Sequence, residues 1–337
     1  MVNGKKVEHL LSEIDWKNKT ALVTGGASFI GSHLVDALIN KNAHVKVVDN
    51  LIRGKLSNTA HCFNKIEFVN MDLSKPSNVC NVTKNIDICF HLASAVGGVQ
   101  FMASHPAEIF KSACINHNVI DACRKMNVDR LLYTSSACVY PTSLQKQVTQ
   151  RPLREEDAYN VEPDTEYGWI KLLGEIQCRA YHKAYGMKIT VVRPFNPYGE
   201  RESFDPNDSH VIPALIRKAV NRESPFVVWG DGTQTRSFEY VGDVVEGMIL
   251  AVENAVNADP INLGSSDISI RELAELILKL TRHETSIQWD TSKPTGVKSR
   301  KADVSKAKKV LGWVAKTPLE KGLQKTIKWY KETCQKI

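Results

Sequence analysis

Over its first 195 residues the chain alternates short β-branched runs with longer stretches of helical period. Residues 20–23 (TALV) read as a strand, as do 44–48 (HVKVV), 66–69, 86–90, 130–134 and 189–192. Between the first two, residues 29–40 put Ile30, Leu34, Ala37 and Leu38 on one helical face. Parallel strands need a long crossover, usually a helix, so this alternation predicts a parallel, doubly wound α/β sheet. After Arg193 the texture changes. Pro and Gly crowd RPFNPYGERESFDPND, and helical and strand signals then mix without a steady period. The expected division is a doubly wound domain over 18–195 and a smaller mixed α/β domain over 196–337. A segment near 240–263 is expected to return to the first sheet.

Composition narrows the classes. The 337 residues are 42% apolar and 24% charged, which excludes disorder and fibrous repeats as whole-chain answers. No apolar run approaches the roughly 18 residues of a membrane span. The N-terminus is charged where a secretory leader carries an apolar core, so a cytoplasmic protein is expected. Eight cysteines form no CxxC pair, and reduced thiols rather than disulfides or a metal site are the expectation. The net charge of +7 comes without a dense basic run interleaved with aromatics. A nucleic-acid partner is therefore not expected, while a solvated lysine surface or a small anionic ligand fits the sign.

The first strand runs into Thr24-Gly25-Gly26-Ala27-Ser28-Phe29-Ile30-Gly31, followed by a helix. Glycines there permit a tight turn and let backbone N–H groups approach a pyrophosphate at the helix N-terminus. Asp49 ends the second strand, 18 residues after Gly31, with Asn50 beside it. A carboxylate at that point accepts from both adenosine ribose hydroxyls and repels a 2′-phosphate, which favours NAD over NADP. TGGASFIGSHL resembles the TGGAGFIGSHL opening of the extended short-chain dehydrogenases/reductases, the nucleotide-sugar epimerase and dehydratase family. The resemblance implies a Rossmann-type fold and further cofactor contacts at Asp72, Leu73, Leu92, Ala93 and Pro194. Ser28 replaces the family's middle glycine, and its hydroxymethyl either crowds the pyrophosphate or donates to it.

Tyr167 and Lys171 stand four apart in a helical stretch and so share a face. A lysine ammonium, like the charge of oxidised nicotinamide, stabilises a phenolate and lets the tyrosine act as a base. Ser136 follows the fifth strand, where its hydroxyl can orient a sugar oxygen. The order and spacing resemble the family's Ser–Tyr–Lys triad. Ser112 stands where the family often carries asparagine, which implies an altered proton relay or lysine anchor. Cys138 lies two residues past Ser136, and in a strand-like continuation both side chains point the same way. On its own it reads as a small buried thiol.

The neighbouring motifs change that reading. AVGGVQFMASHPAEIF resembles the glycine loops of GDP-fucose synthases and GDP-mannose 3,5-epimerases, SSACVYP resembles the latter's SSACIYP, and NDSHVIPALIRK resembles the synthases' NSHVIPALL. The resemblance implies an acid/base pair of Cys138 and His210, with Gly98 and Val99 in the loop at the substrate. GDGTQTRSF resembles a family turn, which implies that Arg236 binds diphosphate, with Lys218, Asn196 and Arg300 as further substrate contacts. A 4-keto sugar has acidic C–H bonds at C3 and C5, and a thiol and an imidazole both titrate near enough to neutrality to move those protons.

The expected function is NAD-dependent epimerisation at C3 and/or C5 of a GDP-mannose-like nucleotide diphosphate sugar. Tyr140-Pro141 replaces the Tyr-Gly usual in 4-epimerases, and a dehydratase-like Thr-Asp-Glu run is missing from this stretch. A 4-epimerase, with Cys138 as packing, stays open. So do a synthase-like epimerase/reductase and an inactive NAD-binding regulator. The resemblance also implies a homodimer built on helices near 108–125 and 167–185.

Overall fold

The computed structural model describes residues 14–95, 105–160, 162–163, 165–206 and 208–334. The first half runs β1 (Thr20–Thr24), α1 (Phe29–Asn40), β2 (His44–Asp49), β3 (Ile66–Asn70), α2 (Val79–Thr83), β4 (Ile88–His91), α3 (Pro106–Ile109), α4 (Lys111–Lys125), β5 (Arg130–Thr134), α5 (Glu166–Tyr185) and β6 (Lys188–Pro194). The second half adds β7 (Pro197–Tyr198), α6 (Val211–Val220), β8 (Phe226–Trp229), β9 (Thr235–Ser237), β10 (Glu239–Tyr240), α7 (Val241–Asn254) and β11 (Ile261–Leu263). It ends with β12 (Asp267–Ser269), α8 (Ile270–Thr281), β13 (Ile287–Asp290), β14 (Ser299–Arg300), α9 (Ser305–Leu311) and α10 (Leu319–Thr333).

Seven parallel strands form the central sheet in the order β3-β2-β1-β4-β5-β6-β11. This is the doubly wound Rossmann-type sheet. The order reverses between β1 and β4, and a crevice opens beyond their carboxyl ends. Thr24 sits there, paired with Val48 on one side and His91 on the other. Side chains of β1 alternate between two cores. Ala21 and Val23 pack with Leu34, Leu38, Met248 and Trp313, while Leu22 packs with Val119, Cys123, Tyr133 and Cys178. Helices thus cover both faces, so the strands read as apolar runs.

The predicted strand at 86–90 is displaced to Ile88–His91. Just ahead of it, the Asp87 carboxylate accepts from the Thr20 N–H and from Lys19. A third core joins Ile212, Ile216, Phe226, Leu273, Ile277 and Leu323, packing α6, α8 and α10 over small sheets. One of these is the three-stranded β12-β9-β14. β11 pairs with β6, and α7 packs into the core of the first sheet. Among the described residues no helix is long and apolar enough to cross a membrane.

A buried polar cluster ties the sheet to α5. Arg193 pairs with Glu175 through two hydrogen bonds of 2.7 and 2.8 Å, both side chains wholly buried. Arg193 also donates to the Tyr140 hydroxyl and the Glu155 carbonyl, and Ser135 donates to Glu175. This places the segment after β5, and with it Ser136, against α5.

Candidate active site

The turn after β1 is built for close approach. Gly25 has φ 72°, and a Cβ on Gly31 would lie 2.1 Å from the Gly25 carbonyl oxygen. Ser28 precedes α1, and no side chain caps that helix. The first N–H groups of a helix lack intrahelical acceptors, so those around Phe29, Ile30 and Gly31 are available to an anion. The Ser28 hydroxyl donates to the Gly25 carbonyl at 2.5 Å. In this structure the side chain folds back onto its own turn.

Asp49 ends β2 with its carboxylate buried, accepting from the Ala27 and Leu51 N–H groups at 3.0 and 2.9 Å. Burial pushes its carboxyl up, and the backbone donors pull it partly back. A carboxylate has about four acceptor positions, so capacity remains for two ribose hydroxyls. Asn50 accepts from the Ile52 N–H, and Asp72 accepts from the Ser74 N–H. That Ser74 contact holds the Asp72 carboxyl below its usual range. Leu92 and Ala93 donate their N–H groups to the Thr24 hydroxyl; Leu73 is buried in a core, and Pro194 is buried at the end of β6. The set fits a dinucleotide: an uncapped helix end, a cradle that a Cβ would fill, and a buried carboxylate at the end of the second strand.

Thr24 also bonds His91 Nδ1 at 2.8 Å, and His91 Nε2 meets the Asn116 side-chain oxygen at 3.1 Å. Asn116 in turn donates to the Tyr133 hydroxyl, which donates to the Lys171 carbonyl. Burial first, then the Lys171 charge, hold His91 down at about 3, so it is neutral. Ser112, one helical turn before Asn116, is fully buried. It takes hydrogen bonds from Ser94 and the Ala95 N–H, and so anchors the segment after β4.

The Ser136 side chain lies close to the Tyr167 phenol. Lys171 donates to the Thr134 carbonyl at 2.8 Å, with its Nζ 5.6 Å from the Tyr167 ring centre. Burial lowers Lys171 to about 8. Burial and the nearby Cys138 raise the Tyr167 phenol well above its usual range, against the pull of Ser136. The chain alone therefore keeps this phenol protonated.

The structure corrects the strand-like placement of Cys138. Residues Ala137–Val139 form a single 3₁₀ turn that follows Ser136, whose hydroxyl accepts the Cys138 N–H at 3.2 Å. The thiol reaches the site by that turn rather than by alternation. The helix carrying Tyr167 approaches the turn so closely that a Cβ on Gly168 would lie 2.2 Å from the Cys138 carbonyl oxygen.

Arg300 links this group to a cationic strip. Its Nη1 lies 3.2 Å from Cys138 Sγ, and its Nε donates to Gln145 at 2.8 Å. Gln145 carried no sequence signal, because it contacts Arg300 across 155 residues. Arg300 on β14 is the register partner of Arg236 on β9. Arg236 donates to the carbonyls of Thr235, Thr295 and Val297. Lys218 donates to the Val227 carbonyl at 2.6 Å, and Asn196 donates to the Ser237 carbonyl at 2.9 Å. His210 belongs to a separate cluster with Glu202, Arg53 and Asp208. Among the described residues it makes no hydrogen bond or ion pair with Cys138 or Tyr167. Gly98 and Val99 lie outside the described residues.

Away from this site, ligand atoms of Asp36, His61 and Cys62 lie within 4.8 Å of one another. The Asp36 carboxylate is already shared by His61 and the Arg201 guanidinium, which opposes a cation there.

Known proteins resemble the chain along most of its length. A family model described as the NAD dependent epimerase/dehydratase family matches residues 21–264. A GDP-mannose 3,5-epimerase from Arabidopsis thaliana is 33% identical over 322 residues, covering 95% of this chain and 84% of that protein. A UDP-glucose 4-epimerase from Thermotoga maritima, solved with UDP-glucose, superposes with a TM-score of 0.85 at 28% identity, covering 94% of this chain and 99% of that one. A UDP-glucuronic acid 4-epimerase from Bacillus cereus, solved with UDP-glucuronic acid and NAD, gives 0.82 at 27% identity, covering 93% and 99%.

Proposed function

The chain belongs to the NAD dependent epimerase/dehydratase family, and from that premise we propose that it epimerises a GDP-mannose-like nucleotide sugar at C3, C5 or both. NAD is its cofactor, and when bound it supplies the acceptor and then the donor of the C4 hydride. The observation that carries the reading is the contiguous chain Arg236–Arg300–Cys138–Ser136–Tyr167. Arg236 and Arg300 are register partners on paired strands, and the planar fork of a guanidinium suits a diphosphate. Arg300 then brings a thiol beside the oxidation machinery. A 4-epimerase needs no such group.

Each residue has a role in that chemistry. Tyr167 takes the proton of the C4 hydroxyl as that carbon becomes a ketone, and Ser136 orients the oxygen. Lys171 keeps positive charge near the phenol. The ketone acidifies the C–H bonds at C3 and C5. One of Cys138 and His210 removes a proton, leaving the electron pair in an enolate conjugated with the C4 carbonyl. The other delivers a proton to the opposite face, which inverts the centre. Two groups on opposite faces of a sugar ring must stand apart, and Cys138 and His210 belong to separate clusters. Tyr167 finally returns its proton to the C4 oxygen.

Residues 18–195 hold the cofactor in this reading, and 196–337 mainly hold the sugar, with Lys218, Asn196, Gly98 and Val99 among the substrate contacts. Cofactor contacts come from Gly25, Ser28, Phe29, Ile30, Gly31, Asp49, Asn50, Asp72, Leu73, Leu92, Ala93 and Pro194. Trp169, Leu173 and Ile176 form an apolar stripe on α5 at 48%, 53% and 47% exposure, and we assign it to a homodimer. All eight cysteines are free thiols, which fits a reducing cytoplasm.

The test is a panel of GDP-, UDP-, CDP- and dTDP-sugars followed by proton NMR. Inversion at C3 or C5 of the GDP-mannose member is expected. Cys138→Ala and His210→Asn are expected to lose inversion while retaining C4 oxidation, seen as the near-ultraviolet absorbance of reduced cofactor. Intact inversion in both variants would overturn the assignment.

A further inference from the structure

His210 occupies the residue before α6, yet its side chain does not cap that helix. Its Nδ1 instead lies 2.7 Å from Glu202 Oε1, eight residues earlier in the chain. The two side chains differ sharply in environment. Glu202 is 4% exposed and His210 is 55% exposed. The second carboxylate oxygen of Glu202, Oε2, has no hydrogen-bond partner among the described residues. Its neighbour Arg201 turns away to Asp36. Arg53 and Asp208 also face the pair, but they are joined to each other by an ion pair, with an Nη1–Oδ1 distance of 2.7 Å.

A buried carboxylate is costly unless a cation or donor faces it, and here the imidazole supplies that donor. An Nδ1–H bond to a carboxylate also selects the tautomer. It leaves the lone pair of a neutral ring on Nε2, the nitrogen with no protein partner among the described residues. Burial raises the Glu202 carboxyl, and His210 draws it back. Partial desolvation where the ring meets Glu202 works against the charged imidazole, but the Glu202 bond and charge outweigh it and raise His210 above its ordinary range.

We propose that Glu202 is the positioning residue of His210. It holds Nδ1–H, fixes the tautomer, and presents Nε2 as the atom that gives and takes the proton at the sugar. The inference rests on the reading above, in which His210 is one of the inversion pair. In each proton transfer Nε2 gains or loses the proton, Nδ1 keeps its own, and Glu202 stays ionised. A histidine packed merely for structure needs no fixed tautomer and no buried anion behind it.

The test is NMR of the full-length holoenzyme with labelled histidine, assigned by comparison with His210→Asn. Wild-type His210 is expected as the Nδ1–H tautomer. Glu202→Gln keeps an acceptor but removes the charge. It is expected to lower the His210 pKa by about one unit, tenfold in proton affinity. The matching limb of the kcat profile should move with it, KM should stay, and Glu202→Asp should restore the wild-type titration. An Nε2–H tautomer in the wild type, or an unmoved titration in Glu202→Gln, would overturn the proposal. The wild-type tautomer needs no variant to fold. If the dyad is seen by NMR while His210→Asn still inverts its substrate, the pairing stands and the inversion role of His210 falls.

Discussion

A phenol beside a buried lysine ionises only if the cation's pull exceeds the lost solvation, and at Tyr167 burial wins. In the proposed mechanism the proton-accepting power of this residue therefore depends on charge brought in with the oxidised cofactor. Tyr167 and Lys171 were legible because helical period fixes their shared face. The directions of the Ser28 hydroxyl and the Cys138 thiol were not, since each depends on a local turn that residue identities leave undetermined. His91 gives a prediction at this scale. Its folded pKa of about 3 lies below the ordinary 6.5. Between those values the unfolded chain binds a proton that the folded chain refuses, so stability falls as pH falls from 6.5 toward 3. The full effect is on the order of 4–5 kcal/mol. Denaturant unfolding should show this slope in the wild type and a flatter one in His91→Gln. Equal slopes would place the acid sensitivity elsewhere.

Elements set the spacing of the chemistry. The alternation of strand and helix through β6 was visible because both faces of a parallel sheet are buried, which makes each strand an apolar run. The pairing of β14 with β9 was not visible. Both strands are two or three residues long, and Arg236 and Arg300 meet across 64 residues of chain. The Glu202–His210 contact was hidden in the same way, inside a loop without period. The contact between α5 and the turn at Ala137–Val139 is a close constraint on the site. Gly168→Ala would drive a methyl into the Cys138 carbonyl, backbone that cannot step aside. A cost of about 1–3 kcal/mol is expected from overpacking. A displacement of Tyr167 by about 1 Å is expected to lower kcat roughly 100-fold with little change in NAD affinity. Thermal unfolding and steady-state kinetics check both, and wild-type turnover in Gly168→Ala would show that α5 tolerates a shift.

Across the whole molecule, the proposed reading gives the cofactor to the central sheet and the substrate's diphosphate to the small β12-β9-β14 sheet that carries Arg236 and Arg300, with Cys138 in contact with Arg300. The apolar stripe on α5 extends the account to the assembly. Light scattering should give twice the chain's 37.7 kDa for the wild type. Leu173→Glu with Ile176→Glu should give the monomer, and a dimeric double variant would move the interface off this helix. The most direct test of the central claim follows solvent deuterium into the sugar. Purified protein is incubated with a GDP-mannose substrate in deuterated water, and the recovered sugar is read by proton NMR and mass spectrometry. The account predicts deuterium at C3 or C5 of the inverted product and none when Cys138 is replaced by alanine. A product inverted at C4 that carries no solvent deuterium would contradict it, because hydride return alone would then account for the reaction.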